Sequence, residues 1–194
     1  MSEPKKKPRK ANSPWKDKKE INLTNDTQKE ILFLLNKLTI ENFEGVSAKI
    51  CDQFTQLQSL EELEKASALV HNKASMEHHF CDMYCTLCSK LHEKNVEFQV
   101  IQPDNTVKTI NLMKLLRQNC QKMFYQVLKY DPQPFENEDF IKLKERLMGN
   151  VVFMCGLYKV DIVSVEIIKL CITMLLTSVK KKLGQSEEQP IDAE

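Results

Sequence analysis

Residues 26–57 read DTQKEILFLLNKLTIENFEGVSAKICDQFTQL. Ile31, Leu34, Leu35 and Leu38 recur at helical spacing, and Phe43, Val46, Ile50, Phe54 and Leu57 do so again. Such spacing gives each segment one apolar face. Two amphipathic helices joined by a few residues can bury those faces by folding into an antiparallel hairpin. Asp26 or Thr27 is placed to cap the first helix, with Glu30 three residues after Thr27 as in a capping box. Thr39 is a candidate cap for the second.

The same pattern continues outward. Ser59 and Glu62 form a second capping-box pair ahead of Leu60, Leu63, Leu69 and Val70. A fourth helix is expected over 77–94, with Phe80, Met83, Tyr84, Leu87 and Leu91 facing inward. Residues 96–109, VEFQVIQPDNTVKT, break the helical pattern and are expected to form a loop. A fifth helix covers 110–129 and is closed by Pro132 and Pro134. A sixth covers 138–158. A seventh, apolar all round, covers 164–183, with Gly184 as its stop. The expectation is an all-α fold of about seven helices without strands. At about forty residues per helix pair, the period fits a HEAT-like stack of antiparallel helix pairs, an α-solenoid. Residues 26–183 would form the helical body, about three and a half repeats long. Residues 1–25 read as a basic arm and 184–194 as an acidic tail.

Composition narrows the chemistry. The chain has 4 glycines among 194 residues, which speaks against a Gly-rich phosphate loop. The net charge of +1 selects no partner by itself. Seven cysteines, an odd number, on apolar helical faces read as reduced thiols of a cytosolic or nuclear protein. The most apolar stretch, 162–179, contains Glu166 and Lys169 and reads as a buried helix rather than a membrane span.

The cluster His78, His79, Cys81, Cys85, Cys88 and His92 invites a zinc reading. Cys81, Cys85, Cys88 and His92 share one stripe, but they span about 16 Å of helix axis. Ligands of one zinc ion must all lie about 2.0–2.3 Å from it. No metal, cofactor or catalytic set is therefore expected, and the chain is read as a non-enzyme. Lys5, Lys6, Lys7, Arg9 and Lys10 form a short basic run suited to weak phosphate contacts. Trp15, the one tryptophan, is a candidate anchor for the arm.

Five segments together resemble the middle domain of eukaryotic translation initiation factor 4 gamma. They are Pro14-Trp15-Lys16; LLNKLTIENF, 34–43; EHHFCDMYCTLCSKL, 77–91; NLMKLLRQNCQKMF, 111–124; and KERLMGNVVFMCGLYKVDIVS, 144–164. The family has Arg before the cysteine of the fourth string, where this chain has Asn119. The family domain has about five helix pairs, so this chain corresponds to its N-terminal part, as a fragment or a truncated paralogue. The resemblance implies a cytoplasmic scaffold that binds the DEAD-box RNA helicase, mRNA and other initiation factors, with no membrane association. Trp15, Leu35, Lys37, Leu38 and Phe43 are the partner-facing candidates it suggests. Lys5, Lys6, Lys7, Arg9 and Lys10 are the RNA candidates. A related scaffold of mRNA splicing, decay or ribosome assembly is the alternative.

Overall fold

The computed structural model describes residues 26–128 and 138–186. The helices are α1 (Asp26–Lys37), α2 (Phe43–Thr55), α3 (Leu60–Met76), α4 (Cys81–Glu93), α5 (Leu112–Leu128), α6 (Glu138–Lys159) and α7 (Val165–Ser186). Helix α1 packs on α3, α3 on α5 and α5 on α7, while α2 packs on α4 and α4 on α6. These are two parallel layers, with α1–α2 and α5–α6 closing hairpins between them. The expected stacked helix pairs are what the described residues form.

Several local expectations need correction. Residues 97–101 and 107–111 form an antiparallel hairpin, β1 (Glu97–Ile101) and β2 (Val107–Asn111), where a loop was expected. Glu97 pairs with Asn111 and Ile101 with Val107. Asp104 Oδ1 accepts from the Thr106 amide at 3.0 Å and from its hydroxyl at 2.7 Å, and Asn105 takes φ 60°, closing the turn. Phe98 and Ile110 pair across the strands and pack against the core.

The expected fourth helix divides. Its first turn, His78–Phe80, is a 3-10 turn, and Phe80 is exposed rather than inward. Thr27 and Glu30 lie inside α1, which starts at Asp26, so they do not form a cap box. Helix α7 runs through Gly184 to Ser186, so that glycine is no stop. The Ser59 cap is present: its hydroxyl accepts from the Glu62 amide at 3.2 Å, and Glu62 Oε2 accepts from the Gln58 amide at 2.7 Å.

One continuous core runs through the stack, from Ile31 and Leu35 through Phe54, Leu63 and Tyr84 to Phe124, Phe153 and Leu157. A polar bridge crosses it. Asn150 of α6 holds His71 Nε2 of α3 at 2.8 Å through Oδ1, and donates from Nδ2 to the Cys120 carbonyl of α5 at 3.2 Å. Both residues are buried, and burial pushes the His71 imidazole below its usual range despite the bond to Asn150. One residue earlier, a Cβ on Gly149 would land on the carbonyl oxygen of Ser75. The Gly149-Asn150 pair thus sets both the spacing and the register of α6 against α3. Asn119, where the resembling family has Arg, donates to the Ser67 hydroxyl at 3.1 Å and ties α5 to α3.

Candidate docking surface at the first helix turn

The turn between α1 and α2 is held mainly by the Asn42 side chain. Its Nδ2 donates to the Lys37 carbonyl at 2.8 Å, satisfying an orphan carbonyl at the end of α1. Its Oδ1 accepts from the Thr39 amide at 2.8 Å, and its own amide reaches Thr39 Oγ1 at 3.4 Å. Thr39 therefore belongs to the turn and does not cap α2, which starts at Phe43. Asn42 was not singled out from the sequence. An Asn four residues after the last core leucine was the signal available, because its side chain can serve as donor and acceptor at once.

The turn sorts its side chains inward and outward. Leu34, Leu35 and Leu38 are buried. Phe33 and Ile40 face solvent at 48% and 66% exposure. Lys37 is exposed and holds its ammonium 3.9 Å over the Phe33 ring, a cation–π contact. Phe43 is half-buried against the core. Lys90 of α4 lies 5.3 Å from the Phe43 ring and pairs with Glu44 at 2.6 Å. The result is apolar surface interleaved with two lysines on a rigid turn. Leu35 and Leu38 are too deep to present themselves, so any part they play goes through holding this turn.

The other candidates fall elsewhere. Trp15, Lys5, Lys6, Lys7, Arg9 and Lys10 lie outside the described residues. Cys81, Cys85 and Cys88 are buried, whereas His79 and His92 are exposed. Among the described residues no group of three or more His, Cys, Asp and Glu side chains is placed to hold a metal ion. Cys81 and Cys85 instead pack against Gly156 of α6, whose missing Cβ would come within 2.5 Å of Cys85 Sγ and 2.9 Å of Cys81 Sγ. Near α4, Glu77 accepts from Tyr84 and pairs with Lys73 at 2.5 Å. Burial pushes the Glu77 carboxyl up, but these two partners outweigh it and hold the group below its usual range. Among the described residues no helix is long and apolar enough to cross a membrane.

The family model described as "MIF4G domain" matches residues 28–193. The chain belongs to the MIF4G domain family. Eukaryotic translation initiation factor 4G of Oryza sativa subsp. japonica is 26% identical over 163 residues, covering 77% of this chain and 9% of that protein. Eukaryotic translation initiation factor 4 gamma 1 of Mus musculus is 28% identical over 177 residues, covering 79% of this chain and 10% of that protein. This MIF4G chain thus spans about a tenth of the length of those relatives. The crystal structure of the MIF4G domain of Trypanosoma cruzi translation initiation factor EIF4G5 shares 14% identity, covers 76% of this chain and 65% of that one, and superposes with a TM-score of 0.49. That likeness is too distant to carry weight. The stacked helices and the family match stand without it.

Proposed function

We propose that this MIF4G domain is a non-enzymatic translation-initiation scaffold that docks a DEAD-box RNA helicase at the α1–α2 turn and acts in cytoplasmic mRNA recruitment. The observation that carries the reading is the outward set Phe33, Lys37 and Ile40 on a turn fixed by Asn42. The family match and the initiation-factor relatives support it. Exposed aromatic and aliphatic groups beside a cation are suited to a desolvated protein contact. A rigid helical stack also keeps that contact in fixed relation to the rest of its surface, which a helicase of two mobile lobes requires. Trp15 is a further candidate for contact with the same partner. Lys5, Lys6, Lys7, Arg9 and Lys10 add weak, sequence-independent contacts to mRNA.

The test is a pull-down with the initiation DEAD-box helicase, with ATPase rate as second readout. Phe33→Ala with Ile40→Ser removes the outward apolar groups and spares the buried leucines, so the melting temperature should stay near wild type. Binding should fall about tenfold or more, as for loss of a contact centre. Wild-type affinity in that double variant would place the helicase contact elsewhere. For RNA, deletion of residues 1–12 should flatten the salt dependence of binding. An unchanged slope would assign RNA contacts to the helical stack.

A further inference from the structure

The sulfurs of Cys81 and Cys85, one turn apart on α4, lie 3.8 Å from each other, and both residues are buried. Two features hold them there. The Cys81 thiol bonds the Val152 carbonyl at 3.5 Å and the Cys85 thiol the Phe153 carbonyl at 4.0 Å. Gly156 lets the α6 backbone press against both sulfurs.

The pair is poorly placed for a disulfide. Cβ atoms one helical turn apart sit about 5–6 Å apart, against about 3.5–4.5 Å across an S–S bond. A third atom between the sulfurs is another matter. Two bonds of about 2.3 Å, the length of a soft metal–thiolate bond, drawn to sulfurs 3.8 Å apart meet at about 111°. That angle suits a centre of tetrahedral or pyramidal shape. A zinc ion would need two further protein ligands, and among the described residues no group of three or more is placed to supply them. A trivalent centre carrying its own organic substituent needs the two sulfurs alone.

We propose that Cys81 and Cys85 form a chelating dithiol site for an organoarsenic(III) group. The reaction balances without a redox step. Both S–H bonds break, two As–S bonds form, and the arsenic-bound oxygen leaves as water with the two protons. Arsenic stays trivalent throughout. As a thiolate Cys81 can accept from the Cys85 thiol, which lowers the Cys81 thiol against the opposing effect of burial; the same bond, together with burial, raises that of Cys85, so Cys81 is the first to attack. Phe80, the residue before Cys81, and Val152, whose carbonyl the Cys81 thiol meets, are both exposed apolar residues.

The experiment is titration of the reduced full chain with phenylarsine oxide, read by intact mass. One equivalent should bind. After binding, unfolding in maleimide should label Cys155 and leave Cys81 and Cys85 shielded. Cys81→Ala and Cys85→Ala should each weaken uptake about a hundredfold or more, because the second bond is then lost. Cys155→Ala should bind as wild type. No uptake by the wild-type chain, shielding of a different pair, or full uptake in both alanine variants overturns the proposal. The shielding map uses the wild-type chain, so it decides the matter even if an alanine variant fails to fold.

Discussion

Replacing Asn150 by Ala should destabilise the stack far more than the loss of a small polar side chain would suggest. The amide makes two interhelical bonds from a fully buried position, one to His71 at 2.8 Å and one to the Cys120 carbonyl at 3.2 Å. Removing it strands a buried imidazole nitrogen whose other neighbour, Ser75 Oγ, is 3.5 Å away. An unsatisfied buried group costs about 1–3 kcal/mol. The Cys120 carbonyl lies within α5 and loses a second partner, adding about 1 kcal/mol. The sum is about 2–4 kcal/mol. For a chain of this size that lowers the melting temperature by about 4–16 °C. Thermal denaturation followed by circular dichroism at neutral pH measures it. The double variant His71→Phe with Asn150→Leu should recover the imidazole's share of the loss, since removing both partners together leaves no buried ring nitrogen stranded. An Asn150→Ala melt within about 2 °C of wild type, or a double variant worse than the sum of the singles, would refute the reasoning.

Because burial depresses His71 in the folded state, the unfolded chain binds that proton first. Stability is full above the ordinary imidazole value of about 6.5 and falls as pH drops from there toward the depressed folded value. Urea midpoints at pH 7.5 and 5.5 should differ, and His71→Gln should shrink the difference. Gly149→Ala should cost about 1–3 kcal/mol, because its Cβ meets the Ser75 backbone. Gly45→Ala, with nothing within 4 Å of the added Cβ, should instead stabilise α2 by up to about 1 kcal/mol; equal effects at the two sites would show that helix propensity, not contact, governs both. Ser59→Ala removes the cap on the Glu62 amide and should cost about 1 kcal/mol by denaturant titration.

The helices were legible because their signal is local. Ile31, Leu34, Leu35 and Leu38 are inward for the same reason that they recur at helical spacing. The Ser59 cap was legible too, since its partners lie within four residues. The hairpin at 97–111 was missed although half its signal was present. Val96, Phe98 and Val100 alternate with exposed residues, and Pro103-Asp104-Asn105 supplies turn chemistry. Five-residue strands carry little pattern beside helices of 12–22 residues, and a two-stranded ribbon is marginal without a helix to rest on. Here α5 follows β2 directly and packs on it. The docking surface was half legible. Lys37 and Phe43 were singled out as partner-facing candidates, and they lie exposed and half-buried at this turn; Phe33 and Ile40 were not singled out, because a sequence pattern marks apolar residues without telling which of them the neighbouring helix leaves uncovered.

The long-range part of the design was hidden for a different reason. Helix α6 touches α3, α4, α5 and α7 at once, and one sequence must satisfy all of them. Its residues look unremarkable on a helical wheel: two glycines, an asparagine and a run of apolar side chains. Their sense comes from what they meet. Gly149 meets a backbone carbonyl on α3, Asn150 an imidazole on α3 and a carbonyl on α5, and Gly156 a pair of sulfurs on α4. A chain with 4 glycines places two of them where helices cross closely, where any Cβ would force the layers apart. The same crossings explain the cysteines. Metal ligation would need a convergence of donors that a straight helix cannot supply, whereas packing on a glycine needs small, soft side chains one turn apart. Cys81 and Cys85 meet that demand, and their closeness, a by-product of the packing, is also what makes them a dithiol.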